Sequence, residues 1–414
     1  MTMESGSRRK ALKFGAAAAV GALVGPYVTR SASAAEPIKL GSLLDGTGAL
    51  GIEGRRMIQA TEFAVGQIND HGGLLGRPVK LIAYDTQSSI QLYTQYAQQL
   101  VFQDKVDVIQ GGITSASREA IRPIFDRSKT LFFYNTQYEG GVCDRNVFCT
   151  GTTPAQTVDH IVEYALKNWG KKVYIIAADY NYGHITASWM TKFVKDGGGS
   201  VVSTDFFPLD VTNFSSTISR IQEAKPDMVL SALVGANHVG FYRQWAAAGM
   251  KSKIPVGATV FGLGDELTTM DAATTDGIIT CFGFYNNLGT PNANAFVKGM
   301  QAKYGPSLTD LGELDTATYE GIMLWAEAVK KAGSVEQAKV VTALETGISI
   351  EGPSGTVKMD PATHHTIRNA YLARPKDRVW EILQTFPNQF PSDTGGACDL
   401  IKSPRTNKQF MPQV

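Results

Sequence analysis

The sequence predicts an α/β protein of two doubly wound parallel-sheet lobes joined by a hinge that the chain crosses several times. Short apolar strands alternate with helical stretches of roughly 10–15 residues from residue 38 onward, a pattern that calls for parallel sheets with helices on both faces. The alternation restarts near residue 155, so two similar runs follow one another. After residue 285 the pattern turns helical and then β again, with too little apolar material for a third core. These last segments are expected to return to both lobes, and repeated crossings make a hinge that lets the lobes rotate without separating.

In order, a strand at 38–44 leads through the turn Asp45-Gly-Thr-Gly-Ala-Leu-Gly51 into a helix over 54–69. The paired glycines Gly72 and Gly73 supply the left-handed stop after it. Strands at 79–85, 106–110 and 131–134 alternate with helices at 91–103 and 115–126. The second run reads helix 155–168, strand 172–178, helix 186–196, strand 201–206, helix 214–224, strand 228–233, helix 239–248 and strand 255–258. An apolar strand at 278–285 precedes helices at 293–304, 316–332 and 335–346, then strands at 355–359 and 369–374.

Of 414 residues, 43% are hydrophobic and 19% charged. Lys+Arg number 39 against Asp+Glu 38, without the basic excess of a nucleic-acid-binding surface. The single long apolar run lies near the N-terminus, so a multi-span membrane protein is excluded. That run follows Ser7-Arg8-Arg9-Lys10 and ends at Ala32-Ser33-Ala34. A basic region, a short apolar stretch and an A-x-A site make residues 1–34 a secretory signal, and the paired arginines give it a twin-arginine pattern. Its removal takes away Arg8, Arg9, Lys10, Lys13, Arg30 and Glu4, leaving a mildly acidic exported chain.

Export puts the four cysteines in an oxidising compartment. Cys143 and Cys149 flank a short polar segment and are expected to form a disulfide. Cys281 reads as a buried thiol in a strand, with a remote Cys281–Cys398 bridge as the open alternative.

The turn Gly46, Gly48, Gly51 has G-x-G-x-x-G spacing, and Asp85 ends the next strand. The spacing alone is weak and export disfavours a nicotinamide cofactor, so no cofactor is expected. His364-His365 lacks neighbouring ligand residues and is expected in a solvated loop, with no metal. There is no G-x-S-x-G elbow or H-E-x-x-H, and only Asn237-His238 pairs a histidine with a strand-end turn, so no enzyme is expected.

Open α/β sheets place ligands at the carboxyl ends of their strands. In the first run these ends are Gly111-Gly-Ile-Thr-Ser-Ala-Ser117 and Tyr134-Asn-Thr-Gln-Tyr-Glu-Gly-Gly141; in the second, Asp179-Tyr-Asn-Tyr-Gly183 and Gly235-Ala-Asn-His238. Hydroxyls and a helix N-terminus suit a ligand oxygen, and tyrosines offer flat faces with polar tips. Four such turns on facing lobes predict one shared cleft.

Gly72-Gly-Leu-Leu-Gly-Arg-Pro-Val79 resembles the N-G-G-I-x-G-R-x-V signature of type I, branched-chain-amino-acid-type solute-binding proteins of ABC importers. Gly112–Ala120, Tyr134–Gly140, Asp179-Tyr-Asn-Tyr-Gly, Pro208-Leu-Asp, Asn213-Phe-Ser-Ser and His364-His-Thr366 resemble its urea and short-chain amide branch. The resemblance implies ligand contacts at Ser115, Tyr134, Thr136, Tyr180, Tyr182 and Asn237. It also implies a lobe 1 of 36–153 plus 284–346, a lobe 2 of 154–283 plus 347–384, and a wrapped or mobile extension at 385–414. Partners would be a small polar amide and the permease subunits of an ABC transporter, the protein itself being a monomer or weak dimer. Asn135 and Gly183 stand where relatives carry proline, which is expected to loosen the cleft wall.

Urea suits this inventory, being planar and neutral with one acceptor oxygen and several N–H donors. At a ceiling of about −1.5 kcal/mol per heavy atom its affinity would reach only tens of micromolar, roughly −6 kcal/mol. A larger amide or an amino acid is the alternative, with an amide sensor or an exported hydrolase as the less favoured readings. An amino acid would need an acid for its ammonium, and Asp265 or Glu266 is expected to supply one.

Overall fold

The computed structural model describes residues 36–413; the expected signal at 1–34 lies outside them. The first lobe is built on strands β1 (Ile38–Leu44), β2 (Val79–Asp85), β3 (Val108–Gly111) and β4 (Leu131–Tyr134). Helices α1 (Gly51–Asp70), α2 (Ile90–Gln99) and α3 (Ser115–Ser128) connect them, α2 running on into a π turn at Leu100–Asp104. Two short strands follow, β5 (Val142–Asp144) and β6 (Val147–Cys149). The sheet order is β2-β1-β3-β4-β6, parallel throughout. Isolated apolar faces on both sides explain the layering, with Leu40, Val108 and Phe133 in one core and Leu43, Ile109 and Phe132 in another.

The second lobe repeats the plan with α4 (Val158–Asn168), β7 (Lys172–Ala178), α5 (Asn181–Asp196), β8 (Ser200–Phe207) and α6 (Ser215–Ala224). β9 (Met228–Ala232), α7 (Ala236–Ala247) and β10 (Val256–Ala258) complete the parallel sheet β10-β9-β7-β8. Short helices α8 (Glu266–Thr269) and α9 (Ala272–Thr275) precede β11 (Thr280–Phe282). Then come α10 (Pro291–Tyr304), α11 (Glu313–Ala332), α12 (Gln337–Leu344) and strands β12 (Ser349–Gly352), β13 (Gly355–Met359), β14 (Thr366–Lys376) and β15 (Val379–Gln389). A single-turn helix α13 (Ser392–Gly395) and β16 (Asn407–Gln409) end the chain's regular structure. Two doubly wound lobes are therefore present as expected.

The hinge is visible in which core each segment joins. Cys149 of β6 bridges in parallel to His365, and Thr366 and Ile367 then pair with β13. Further along the same strand, Ala370 and Leu372 lie in the second lobe's core and pair with β11 and β15. β14 thus begins in one lobe and ends in the other. Phe282 packs in the second lobe, and Phe284 two residues later packs with Ala60 and Phe63 of α1. Glu313, wholly buried at the start of α11, ties two crossings together. Its carboxylate accepts from the Thr152 N–H at 2.8 Å, the Thr152 hydroxyl at 2.6 Å and the Gly283 N–H at 2.7 Å.

Several expectations need correction. Val357 and Met359 pack with Ile38 and Leu40, so β13 joins the first-lobe core although the sequence placed 347–384 in the second lobe. The expected Cys143–Cys149 bridge is absent, and so is Cys281–Cys398. Cys143 is bonded to Cys398, with 5.6 Å between Cα atoms. The reason is topological: β6 carries Cys149 into the sheet beside β4, whereas β5 pairs antiparallel with β16 of the C-terminal tail. Cys149 and Cys281 remain as buried thiols. His364 and His365 are buried, not solvated. The His364 ring stacks on Phe148, and His365 bonds Tyr138 and Thr363.

Candidate functional site

The carboxyl ends of both parallel sheets face one cavity of about 50 Å³. From the first lobe come Leu50 before α1 and Glu53 in its first turn, Ile113 and Thr114 of the β3–α3 turn with Ser115 at the start of α3, and Tyr134 at the end of β4 with Thr136 and Gln137 after it. From the second come Tyr180 and Tyr182 at the start of α5, Val234 after β9, and Val260 and Leu263 after β10. Leu314 of α11 closes one side. Leu50, Ile113 and Leu314 belong to the same buried cluster as second-lobe residues, so the lobes are shut against each other around this space.

Local sequence explains how each wall is presented. Thr114 caps α3, its hydroxyl oxygen accepting from the Ser117 N–H at 3.0 Å. The Ser115 N–H in the first turn has no i−4 carbonyl to bond, and Ser115 lines the cavity. Tyr180 is the N-cap of α5, which begins at Asn181, five residues earlier than the helix the sequence predicts over 186–196. Gly183 permits this start, because a Cβ there would lie 1.9 Å from the Ala178 carbonyl oxygen. Asn135 is wholly buried, donating to Gln110 Oε1 at 3.0 Å and accepting from Thr150 at 2.7 Å. The absence of prolines at these two positions therefore does not loosen the wall. One residue admits close packing and the other joins a buried network.

Three hydroxyls of the cavity are already engaged as donors, and that of Tyr180 has no partner among the described residues. Ser115 donates to Glu139, Tyr134 to the Ile113 carbonyl at 2.9 Å, and Thr136 to the Gly112 carbonyl at 3.0 Å. Thr259 donates to the Ser231 carbonyl at 3.3 Å, which leaves its oxygen to accept from Tyr182 at 2.8 Å. What these oxygens offer the cavity is lone pairs. Glu139 is wholly buried and also accepts from Arg118 at 2.8 Å. Arg118 lies over the rings of Tyr134 and Tyr138, at 4.9 and 4.7 Å from their centroids.

Of the residues expected to contact ligand, Ser115, Tyr134, Thr136, Tyr180 and Tyr182 are brought together around the cavity, and Asn237 is not. Asn237 sits in the first turn of α7, where its side chain accepts from the Val234 N–H at 2.9 Å and donates to the Pro208 carbonyl at 3.2 Å. It braces the loops behind the wall. Asp265 and Glu266 do not line the cavity either. Glu266 forms a buried pair with His238 at 2.9 Å and accepts from the Gly264 N–H at 3.0 Å. Burial works to raise its carboxyl, and the His238 and Gly264 contacts outweigh that and hold it below the usual range.

Glu53 is the acid that does line the cavity, and the sequence reading missed it. Burial raises its carboxyl above the ordinary value, with attraction to His238 opposing and repulsion from Glu266 and Asp265 adding. Its position two residues after Gly51, in the first turn of α1, was the available signal. That loop is not a phosphate cradle, for Asp85 already accepts from the Gly46 N–H at 2.8 Å, the Thr47 N–H at 3.2 Å and the Thr47 hydroxyl at 2.8 Å.

Among known proteins, a Leu/Ile/Val-binding protein homolog 6 of Brucella melitensis biotype 1 is 23% identical over 373 residues, covering 87% of this chain and 94% of that protein. A Leu/Ile/Val-binding protein homolog 7 of Brucella suis biovar 1 is 27% identical over 347 residues, 79% of this chain and 85% of that protein. The solute-binding protein of an ABC transporter from Rhodopseudomonas palustris HaA2, solved with p-hydroxybenzoic acid, shares the fold with a TM-score of 0.79. It is 22% identical, with 87% of this chain and all of that one (100%) covered. An amino acid ABC transporter substrate-binding protein from Pseudomonas fluorescens Pf-5 gives a TM-score of 0.77 at 22% identity, covering 89% and 100%. Residues 37–378 match the family described as periplasmic binding protein, and with a match of that extent the chain belongs to the periplasmic binding protein family.

Proposed function

We propose that this chain is the exported solute-binding component of an ABC importer, which closes its lobes over urea or a short-chain amide and delivers it to the permease subunits. The observation that carries the ligand class is the direction of the hydroxyl protons. Ser115, Tyr134 and Thr136 all donate away from the solute, so each presents an acceptor. Glu53 adds another. Opposite in character is the start of α3, whose N–H groups suit a single oxygen. A planar solute with several N–H donors and one oxygen satisfies both sets, and every unpaired polar atom in a shut cleft would cost about 1–3 kcal/mol. A cavity of about 50 Å³ has room for roughly four water-sized groups, which is the size of urea.

The second reading is an amino acid or larger amide-like solute. Leu50, Val234, Val260 and Leu263 favour it, since they offer an apolar wall that urea does not need. The relatives' names, and the aromatic acid held by one structural neighbour, point the same way. Calorimetric titration with urea, formamide, acetamide, leucine and benzoate separates the two. The first reading expects heat with urea or a short amide, and saturation by leucine or benzoate alone would replace it.

A further inference from the structure

The sequence predicts a wrapped or mobile extension at 385–414. In the structure β15 continues to Gln389, and the residues after it form a strap that returns to the ligand site. At its start, Asp393 accepts from the Thr153 hydroxyl at 2.8 Å, on the first hinge crossing. In its middle, the Leu400 N–H bonds the Ala362 carbonyl at 2.7 Å, next to the third crossing, and Cys398 is joined to Cys143. At its end, β16 pairs with β5 in the register Lys408↔Cys143, and the Phe410 N–H bonds the Gly141 carbonyl at 2.8 Å.

This path places one strap side chain against the site. Gln409 donates to Glu139 Oε1 at 2.6 Å and to the Gly140 carbonyl at 2.9 Å, and accepts from Arg118 at 3.1 Å. The other oxygen of the same carboxylate takes the Ser115 proton. From the second lobe, the Trp189 indole N–H donates to the Glu139 backbone carbonyl at 3.0 Å. Glu139 is thus the meeting point of the ligand wall, the strap and the opposite lobe.

We infer that Gln409 is a positioning residue for the ligand site: it holds Glu139 so that the Ser115 hydroxyl stays turned from the solute, and the Cys143–Cys398 bridge holds Gln409 in place. The inference rests on the cleft being the ligand site and not on which solute fills it. Reducing the bridge then weakens ligand binding through Gln409.

The test uses the mature chain with Gln409→Ala, Ser115→Ala, their double variant, and Lys408→Ala as a strap control whose side chain is exposed. Urea and acetamide are titrated calorimetrically, and amide hydrogen exchange is followed over residues 134–141. Loss of one buried hydrogen bond predicts binding weakened about fivefold in Gln409→Ala, with faster exchange over 134–141 and no change in Lys408→Ala. In the Ser115→Ala background the further loss should vanish, because the two residues act through one carboxylate. Dithiothreitol should reproduce the loss in the wild type and add nothing to Gln409→Ala. Unchanged affinity and exchange in Gln409→Ala, or an equal loss in the Ser115→Ala background, would overturn the inference. If the wild type binds neither urea nor acetamide, the proposed ligand fails, and exchange over 134–141 alone decides the role of Gln409.

Discussion

Arg368 and Glu320 face each other at 2.9 Å with both side chains wholly withdrawn from solvent, at the point where β14 passes between the lobes. Arg368 also donates to the Thr150 carbonyl at 2.5 Å, and Glu320 accepts from the Ser354 N–H at 2.9 Å and its hydroxyl at 2.6 Å. The pair therefore fastens the first crossing, the third crossing and α11 to one another. Glu320→Ala would strand a buried guanidinium and should lower unfolding free energy by about 3–5 kcal/mol. The double replacement Glu320→Leu with Arg368→Met should lose much less. Guanidinium melts of the single and double variants check the contrast.

A buried histidine predicts the acid limb of stability. Burial holds the His365 ring neutral down to about pH 3, with the His364 and Arg118 charges adding to the effect and its bond to the Thr363 carbonyl opposing it. An unfolded histidine takes a proton below about pH 6.5. Between those limits the unfolded chain binds the extra proton, so stability rises with pH and is lost as pH falls from about 6.5 towards 3. One proton gives a slope of about 1.4 kcal/mol per pH unit. In His365→Gln this component disappears, so the stability gap between wild type and variant should narrow steadily on acidification. A constant gap from pH 7 to pH 4 would show that the ring is not held neutral.

The parallel strands and their helices were legible because period and length speak for themselves in buried α/β elements, as at 38–44, 79–85 and 172–178. The start of α5 was not, since Tyr180-Asn-Tyr-Gly reads as a turn until Gly183 is seen to lie against Ala178. β15 was hidden by Pro387 and by its polar residues, both of which an outer strand tolerates. The disulfide was misread because local spacing favoured Cys149, while the true partner is brought in by a strand of only three residues, β16, whose pairing no local pattern encodes. Of the six residues to which the family resemblance points, Ser115, Tyr134, Thr136, Tyr180 and Tyr182 line the cavity. Glu53 escaped because it lies in the first turn of α1 and not in the loop before it.

The bridge itself is open to a direct chemical test. Peptide mapping of the unreduced protein should recover Cys143 linked to Cys398, with Cys149 and Cys281 titrating as thiols only after unfolding. Cys143→Ser with Cys398→Ser should lower stability by about 2–5 kcal/mol, since the bridge closes a long loop. A Cys143–Cys149 peptide would contradict the path of the strap.

Glu53 should set preference for N–H donors. Glu53→Gln keeps the shape but replaces one acceptor by a donor, and should weaken amide binding by about 1 kcal/mol. As pH falls through the raised carboxyl, the wild type should lose affinity and the variant should not. Titrations at several acidic and neutral pH values read both effects.

Tyr180 covers the cavity from the second lobe, packed near Tyr182 at 6.0 Å between ring centroids. Tyr180→Ala should reduce affinity by about 1 kcal/mol or more with the melting temperature little changed. Unaltered affinity would mean that the solute does not touch this lobe.

The central claim is that the shut cleft holds a small neutral solute rich in N–H donors, and competition calorimetry of the mature protein, urea and acetamide against benzoate and leucine, tests it most directly. Saturable heat with urea or acetamide, in the tens of micromolar expected at about −6 kcal/mol and undisturbed by benzoate, is the predicted result. Tight binding of benzoate or leucine with no heat from either amide would contradict it.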